Sequence, residues 1–354
     1  MNSINLGKSN IIFNTEGYAA LNQYIKTEGF SKIFVLVDSN TSEYCLPIFK
    51  NKLNPEFNFE TIEIKSGEEY KTIKTCVDVW TTLSENGADR KSLLINLGGG
   101  VITDLGGFVA CTFRRGIKYI NIPTTLLAMV DASVGGKTGV DLGTLKNQIG
   151  VINSGDFVLI DTNYLCTLPK NQIISGVSEM LKHGLITSYE YWIKMKKYLS
   201  NGKDLDKLIH ESIEIKANVV DKDQNEHGIR KSLNFGHTLG HAIESYFLEN
   251  TQKNDLLHGE AIAIGMILET YISHKLLSFP KNKLDDIKAT ILNIFPKVKF
   301  DEVDYVEIIS LLRFDKKNHY GKVNFVLLHD IGNPKLDCQV ENELIEEAFN
   351  FYEN

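Results

Sequence analysis

The first half of the chain contains a series of short apolar runs, each followed by a polar or glycine-rich turn. This pattern is compatible with few folds. The runs cover residues 33–37, 92–97, 119–122 and 157–160, and the turns after them begin at Asp38, Gly98, Pro123 and Asp161. Short uninterrupted apolar strands are typical of a parallel sheet covered by helices on both faces. Because such sheets bind ligands at the carboxyl ends of their strands, we expect these turns to form a ligand-binding edge.

The second half of the chain has a different hydrophobic pattern, with long segments of helical periodicity and few helix-breaking residues. These segments are 173–185, 205–220, 237–248 and 259–277, and a later alternating segment, 322–328, predicts one short strand. A chain of 354 residues has room for about two domains of roughly 150 residues. We therefore predict an α/β N-terminal domain with a parallel-sheet core, residues 1–167, and a mainly α-helical C-terminal domain, residues 168–354.

Charge and cysteine content narrow the class of protein. With 38 basic and 45 acidic residues the chain has a net charge of −7, which argues against broad binding to nucleic acids or anionic membranes. The five cysteines are odd in number, far apart and never in a CxxC motif, so reduced thiols are expected. No secretory signal is visible, and no apolar run approaches the about 18 residues of a membrane span. A cytoplasmic protein is predicted.

A glycine-rich turn indicates a nucleotide site. Residues 98–100 are all glycine, follow a predicted strand and open a predicted helix that includes Asp104. Glycines let the backbone approach a pyrophosphate, and the helix N-terminus offers N–H donors. The usual dinucleotide motif has glycine where this chain has Thr103, so the motif is incomplete. Asp38 could bind ribose hydroxyls, and the polar turns 66–71 and 123–125 add support for a dinucleotide.

The helical half carries a candidate metal site. Asn234, His237, His241 and Glu244 are spaced three, four and three residues apart, which predicts one shared helix face. His258 begins the next predicted helix, beyond the polar loop 249–255. A carboxylate and two imidazoles with one open position suit a catalytic zinc-type ion. The spacing leaves open whether His241 or His258 completes the set with His237.

An earlier helix and several basic residues complete the candidate site. The segment 175–183 predicts a helix with Glu179, Lys182 and His183 on one face. Basic side chains in glycine-rich turns or beside apolar helical stripes suit a substrate that carries phosphate. They are Arg114, Arg115, Lys137, Lys146, Lys182, Lys216, Arg230, Lys316 and Lys317.

Four motifs of this sequence are similar to those of a known family: residues 98–104, 123–137, 233–244 with Arg230 upstream, and 315–317. On these motifs the chain resembles the 3-dehydroquinate synthases of the shikimate pathway over essentially its full length. The resemblance implies an N-terminal NAD-binding domain, a helical metal-binding domain, an active site in the cleft between them, and a homodimer. Two departures are Ser178, where relatives often have alanine, and a longer interval between His237 and His258; neither removes a ligand.

The resemblance also implies roles for individual residues. The ligands of a zinc or cobalt ion would be Glu179, His237 and His258. NAD would contact Asp38, Ser66, Gly67, Glu68, Glu69, Tyr70, Lys71, Gly100, Val101, Ile102, Thr103, Asp104, Thr124, Thr125, Lys137, Lys146, Tyr164, Leu165, Cys166 and Thr167. Substrate and catalytic groups would be Asp131, Lys137, Asn147, Lys182, Lys216, Arg230, Asn234, His241 and either Lys316 or Lys317, with Arg115 supplied by the partner subunit.

The implied reaction turns 3-deoxy-D-arabino-heptulosonate 7-phosphate into 3-dehydroquinate and phosphate, with NAD regenerated in each turnover. Three alternatives remain from the sequence. A cyclase acting on sedoheptulose 7-phosphate would alter residues at Asn234, His241 and 316–317. A metal-dependent polyol dehydrogenase would consume NAD and need no phosphate cluster. A catalytically silent NAD-binding protein would have no reason to keep the ligand and lysine positions together.

Overall fold

The computed structural model describes residues 2–7, 9–143, 145–250, 252–312 and 323–354. The chain divides into two compact units. The N-terminal unit comprises Met1–Ile173 with Lys216–Asp221, and the C-terminal unit comprises Ile174–Ile215 with Lys222–Asn354. The N-terminal unit thus extends past residue 167, where the predicted N-terminal domain ends, and also takes in a short stretch of a later helix.

A mostly parallel sheet forms the centre of the N-terminal unit, as predicted. The strands of this unit are β1 Ile4–Leu6, β2 Ser9–Phe13, β3 Ile33–Asp38, β4 Glu60–Ile64, β5 Leu93–Gly98, β6 Lys118–Pro123, β7 Lys137–Leu142, β8 Leu145–Ile152 and β9 Phe157–Ile160. In the described residues, seven of them form one sheet in the order β1-β2-β9-β6-β5-β3-β4. All neighbours in it run parallel except β1 and β2. Strands β7 and β8 form a separate antiparallel hairpin.

Helices cover this sheet, which explains the uninterrupted apolar runs. They are α1 Asn14–Glu28, α2 Ser39–Tyr44, α3 Leu46–Lys52, α4 Ile73–Glu85 and α5 Gly100–Thr112. Val35, Ile95 and Ile120 sit at the middle of three adjacent strands and are fully buried. Helix α5 packs so closely on the sheet that a Cβ at Gly106 would lie 2.0 Å from Oδ1 of Asn96. The predicted strand-to-helix transition at the glycine-rich turn is confirmed, since β5 ends at Gly98 and α5 begins at Gly100.

The C-terminal half is mainly helical, as predicted. Its helices are α6 Lys170–Thr187, α7 Tyr189–Asn201, α8 Leu205–Lys222, α9 His237–Glu249, α10 His258–Leu277, α11 Lys281–Leu292, α12 Glu302–Leu311 and α13 Asn342–Glu353. This half also contains an antiparallel hairpin of β10 Phe325–Asp330 and β11 Asn333–Cys338. The strand predicted over 322–328 corresponds to β10, although Lys322 lies outside the described residues. No helix in the described ranges is long and apolar enough to cross a lipid bilayer.

Helices α9 and α10 approach each other through glycine. A Cβ at Gly265 would lie 2.0 Å from the carbonyl oxygen of Gly236 and 2.9 Å from the amide nitrogen of Gly240. Both neighbours are backbone atoms and cannot rotate away. The packing of the two helices that carry His237 and His258 therefore depends on the missing side chain at Gly265.

The variant Gly265→Ala is expected to lose about 1–3 kcal/mol of unfolding free energy, because the added methyl group forces α9 and α10 apart. Urea unfolding followed by circular dichroism measures the change. The matched control is Leu276→Ala on the same helix, whose side chain is exposed and whose effect should stay within about 0.5 kcal/mol. Equal stability of the wild type and Gly265→Ala would contradict the close approach.

Candidate active site

Three neighbouring parallel strands end at one edge of the N-terminal unit, and several of the residues predicted to bind a nucleotide lie at these strand ends or in the turns after them. Asp38 ends β3, Gly98 ends β5 and Pro123 ends β6. The amide of Thr124 donates to the carbonyl of Gly98 over 2.9 Å, and a Cβ at Gly99 would lie 3.0 Å from Cγ2 of Thr125. The glycine-rich turn and the turn after β6 therefore lie against each other.

Asp38 is partly engaged within its own turn. Its Oδ1 accepts from the amide of Thr41 over 2.8 Å and caps α2. The carboxylate is therefore held in a fixed orientation at the strand end.

Lys71 is the centre of a buried polar cluster. Its Nζ donates to Oδ2 of Asp104 over 2.7 Å and to Oδ1 of Asn147 over 2.6 Å, and Glu68 Oε1 lies 3.9 Å away. Lys146 donates to the same Glu68 over 3.1 Å. Only 4% of the Lys71 surface is exposed. Burial opposes its charge, yet the carboxylates of Asp104 and Glu68 raise the pKa of Lys71, so the lysine is held as a cation.

Some predicted nucleotide residues turn their side chains into the core. Ile102 is fully buried beneath the glycine turn, where a Cβ at Gly98 would lie 2.5 Å from it. Tyr164 is 1% exposed, and its hydroxyl lies 2.7 Å from that of Tyr18. The side chains of Ile102 and Tyr164 are therefore enclosed by the protein, and any contact with a nucleotide would come from their backbone atoms.

The N-terminal unit also fixes several predicted substrate groups. Nζ of Lys216 donates to Oδ1 of Asp131 over 2.6 Å and to its carbonyl over 2.5 Å. Lys137 is the first residue of β7. Arg115 is exposed and has φ 66°, directly after Arg114 with φ 50°. A non-glycine residue rarely adopts this conformation, so the turn directs Arg115 at a cost in backbone strain.

In the C-terminal unit, α6, α9 and α10 bring a carboxylate and two imidazoles together. Oε1 of Glu179 lies 3.5 Å from Nε2 of His237 and 3.7 Å from Nε2 of His258. Glu179 is fully buried, and its other oxygen contacts Nζ of Lys182 one turn further along α6. The predicted shared face of Glu179, Lys182 and His183 on one helix is confirmed by their positions in α6.

Hydrogen bonds at Nδ1 orient both imidazoles. Nδ1 of His237 lies 3.1 Å from the carbonyl oxygen of Phe235, and Nδ1 of His258 lies 3.2 Å from Oε2 of Glu244. Because these oxygens only accept, Nδ1 carries the hydrogen in each ring and the neutral ring has its lone pair at Nε2. Burial alone would lower the pKa of His258, but the carboxylates of Glu244 and Glu179 raise it to about 10. The two carboxylates thus favour positive charge at the His258 ring.

His241 lies in the same cluster. One ring nitrogen from each of His237, His241 and His258 lies within 4.8 Å of the others, and the ring centroids of His237 and His241 are 5.1 Å apart. The spacing left His241 and His258 as alternatives, and the choice of His258 as the metal ligand stays a prediction.

The prediction that Asn234 shares the helix face of His237 is wrong. Gly236 has φ 77°, a left-handed conformation that starts a new helix, so α9 begins at His237. Asn234 instead ends a short 3-10 helix, Ile229–Asn234. Its Nδ2 donates to Oε1 of Glu226 over 2.9 Å.

Arg230 lies in that 3-10 helix and is buried, with 2% of its surface exposed. Its Nη1 donates to the carbonyl of Gln224 over 2.7 Å. Its own amide and that of Gly228 donate to Oδ2 of Asp223 over 3.1 and 2.7 Å. Asp223 thus organises the loop that presents the Arg230 guanidinium.

Two residues of the site, Glu244 and Glu226, were not identified from the sequence, and two predicted lysines lie outside the residues that the structure describes. Glu244 was visible on the face of His237, but the spacing gave it no role. Glu226 lies in a polar loop with no local signal. Lys316 and Lys317 fall outside the described residues.

Comparison with solved structures places the fold among the sugar-phosphate cyclases. The structure of 2-deoxy-scyllo-inosose synthase, determined in complex with carbaglucose-6-phosphate, NAD+ and Co2+, matches with a TM-score of 0.84 and 25% sequence identity. The match covers 99% of this chain and 99% of that chain.

Sequence comparison is more specific. The models of the N-terminal and C-terminal regions of 3-dehydroquinate synthase match residues 61–175 and 176–318. The 3-dehydroquinate synthase of Parabacteroides distasonis is 43% identical over 94% of this chain and 94% of its own length. That of Listeria welshimeri is 40% identical over 90% of this chain and 87% of its own. The chain belongs to the 3-dehydroquinate synthase family.

Proposed function

We propose that this chain is a phosphorus–oxygen lyase that converts 3-deoxy-D-arabino-heptulosonate 7-phosphate into 3-dehydroquinate and phosphate, a step of aromatic amino acid biosynthesis. The conversion combines transient oxidation, phosphate elimination, re-reduction and an intramolecular aldol closure. The observation that carries the proposal is the convergence of Glu179 Oε1 with Nε2 of His237 and His258, 3.5 and 3.7 Å away, in a chain of this family.

The residues present fit a divalent metal ion. Glu179, His237 and His258 would hold it, because one carboxylate and two imidazoles with hydrogen-bonded Nδ1 atoms are a ligand set that zinc and cobalt accept. Lys182 contacts the second oxygen of Glu179, so Oε1 stays directed at the imidazoles. When bound, the ion supplies a Lewis acid for the C5 hydroxyl of the substrate, and NAD supplies a hydride acceptor and donor.

The N-terminal unit would hold NAD. The glycine-rich turn at the start of α5 supplies backbone donors for the pyrophosphate, and Asp38 would accept from ribose hydroxyls. The ion pair of Lys71 with Asp104, 2.7 Å long, fixes the turn after β4 against α5. We assign NAD binding to residues 1–167 and metal and substrate binding mainly to 168–354.

Fixed basic and amide groups would bind the anionic ends of the substrate. Arg230 and Asn234 are held by the loop at Asp223 and Glu226. Groups positioned before binding lose less freedom when substrate binds, and they stabilise charge that develops during the reaction. Lys137, Lys182, Lys216, Asn147 and one of Lys316 and Lys317 would complete the set, with His241 and Asp131 as further polar groups.

The variant Glu244→Gln is expected to weaken metal binding by about 10–100-fold, because it removes the carboxylate that orients His258. Titration of metal-free protein with Co2+, followed by visible absorption, measures this affinity. Glu214→Gln on α8 is the control; its carboxylate pairs with His210 near the surface, 3.5 Å away, and Co2+ binding should not change. Wild-type affinity in Glu244→Gln would rule out this orienting role.

Product analysis tests the proposed reaction. Protein, NAD and Zn2+ or Co2+ are incubated separately with the heptulosonate phosphate, sedoheptulose 7-phosphate and glucose 6-phosphate, and products are identified by NMR. Only the first substrate should give a carbocycle, namely 3-dehydroquinate. A carbocycle from sedoheptulose 7-phosphate or glucose 6-phosphate alone would instead identify one of the related cyclases.

We also infer a homodimer in the cytoplasm. The hairpin of β7 and β8 exposes apolar side chains, with Leu142 56% and Ile152 53% exposed, which supports a surface covered by a second copy. Arg115 would then reach the partner's site. All five cysteines lie in the described ranges and are unpaired, which suits a reducing compartment. Light scattering of the purified protein measures the oligomeric state.

A further inference from the structure

Glu269 is a fully buried carboxylate that no sequence motif singles out. It lies in α10, about three turns after His258, and its side chain faces the beginning of α9. We propose that Glu269 is a positioning residue that holds His237 in place by fixing the first turn of α9. This inference rests on the ligand set proposed above.

Glu269 binds three backbone amides around His237. Its Oε2 accepts from Gly236 over 2.6 Å, and its Oε1 accepts from Thr238 over 3.1 Å and from Leu239 over 3.2 Å. The first amides of a helix have no partner inside the helix. A side chain at the residue before the helix usually binds them, but here that residue is Gly236. Glu269 takes this role from another helix and fixes the backbone on both sides of His237.

The packing of α9 and α10 allows this contact. Gly265 lies one turn before Glu269, and a Cβ there would lie 2.0 Å from the carbonyl oxygen of Gly236. The two backbones are therefore close enough for the carboxylate to reach the start of α9. A negative charge at a helix N-terminus also interacts favourably with the helix dipole.

Two contacts together determine where Nε2 of His237 lies. The carbonyl of Phe235 accepts from Nδ1 and sets the ring orientation. Glu269 sets the position of the backbone that carries the ring. Since metal–ligand distances vary by only about 0.2 Å in a competent site, a small shift of this backbone would weaken metal binding.

The test is the variant Glu269→Gln. A glutamine side chain has nearly the same shape, but its amide NH2 would face a backbone N–H and lose at least one of the three hydrogen bonds. We expect the dissociation constant for Co2+ to rise by about 10–100-fold and the visible absorption of bound Co2+ to change.

Ser273→Ala is the matched control. Ser273 is also buried in α10, and its Oγ accepts from the amide of Leu328 over 2.9 Å. Its Oγ also donates to the backbone carbonyl of Glu269 over 2.6 Å, but its loss leaves the Glu269 carboxylate and the three amides bound to it in place. Stability should therefore fall, while Co2+ affinity should stay within about twofold of wild type. The inference is overturned if Glu269→Gln binds Co2+ as the wild type does, or if Ser273→Ala weakens binding equally.

The same titration of His237→Ala separates this inference from the proposed function. If His237→Ala loses Co2+ affinity and Glu269→Gln keeps it, the ligand set stands and only the positioning role fails. If His237→Ala also keeps wild-type affinity, the ligand set itself is wrong.

Hydrogen exchange on the unmodified protein decides the matter should Glu269→Gln fail to fold. The amides of Thr238 and Leu239 should exchange as slowly as those in the middle of α9, because Glu269 protects them. Exchange at the rate of an unprotected helix start would overturn the proposal.

Discussion

Replacement of His237 by alanine should remove the bound metal ion and lower turnover about a thousandfold or more, the equivalent of about 4 kcal/mol of transition-state stabilisation. His237 supplies one of the two Nε2 atoms that face Oε1 of Glu179. A carboxylate and a single imidazole are too few ligands for a catalytic site of this kind. Metal content measured by mass spectrometry and phosphate release measured in the same preparation give both quantities.

His210→Ala is the control for a lost histidine. His210 pairs with Glu214 on α8, 3.5 Å away, and both metal content and turnover should equal those of the wild type. Far-ultraviolet circular dichroism checks that both variants are folded. If His237→Ala retained one metal ion per chain and full turnover, the assignment of His237 as a ligand would be wrong.

Replacement of Lys71 by methionine is expected to cost about 3–5 kcal/mol of unfolding free energy, because it leaves buried carboxylate charge without its partner. Nζ of Lys71 lies 2.7 Å from Oδ2 of Asp104, and burial already raises the pKa of Asp104. Affinity for NAD should fall as well, since the turn after β4 loses its tie to α5. Urea unfolding and NAD titration measure the two effects.

Lys32→Met is the matched control in the same unit. Lys32 pairs with Glu60 over 3.0 Å at the surface, where ion pairs contribute about 1 kcal/mol or less. NAD affinity should not change in this control. A Lys71→Met variant no less stable than Lys32→Met would show that the Lys71 cluster is not a stabilising centre.

Much of the architecture could be predicted from the sequence because its signals are local. Strands buried on both faces need uninterrupted apolar runs, so 33–37 and 157–160 marked β3 and β9. The glycines at 98–100 marked the transition from β5 to α5. Helical periodicity marked α6, α8, α9 and α10. The hairpin of β7 and β8 gave no such signal, because β8 is largely exposed and lacks a continuous apolar face.

The parts that could not be predicted depend on contacts between distant residues. Lys71 meets Asp104 and Asn147, which lie 33 and 76 residues away in sequence. Glu269 reaches amides 30 to 33 residues earlier. The spacing of Asn234 from His237 suggested a shared helix face, but the positive φ of Gly236 ends that continuity. The three-residue spacing of Asn234 from His237 is therefore not a helical one, although the periodic segment 237–248 matches α9.

The ratio of phosphate released to NAD supplied shows whether the protein regenerates NAD within each turnover. Metal-loaded protein is incubated with excess heptulosonate phosphate and a trace of NAD, and both phosphate and NADH absorbance are followed. We expect phosphate release far beyond the NAD present, with no net NADH, and loss of release when a chelator removes the metal. Stoichiometric NADH, or undiminished release from metal-free protein, would rule out a metal-dependent cycle that regenerates NAD.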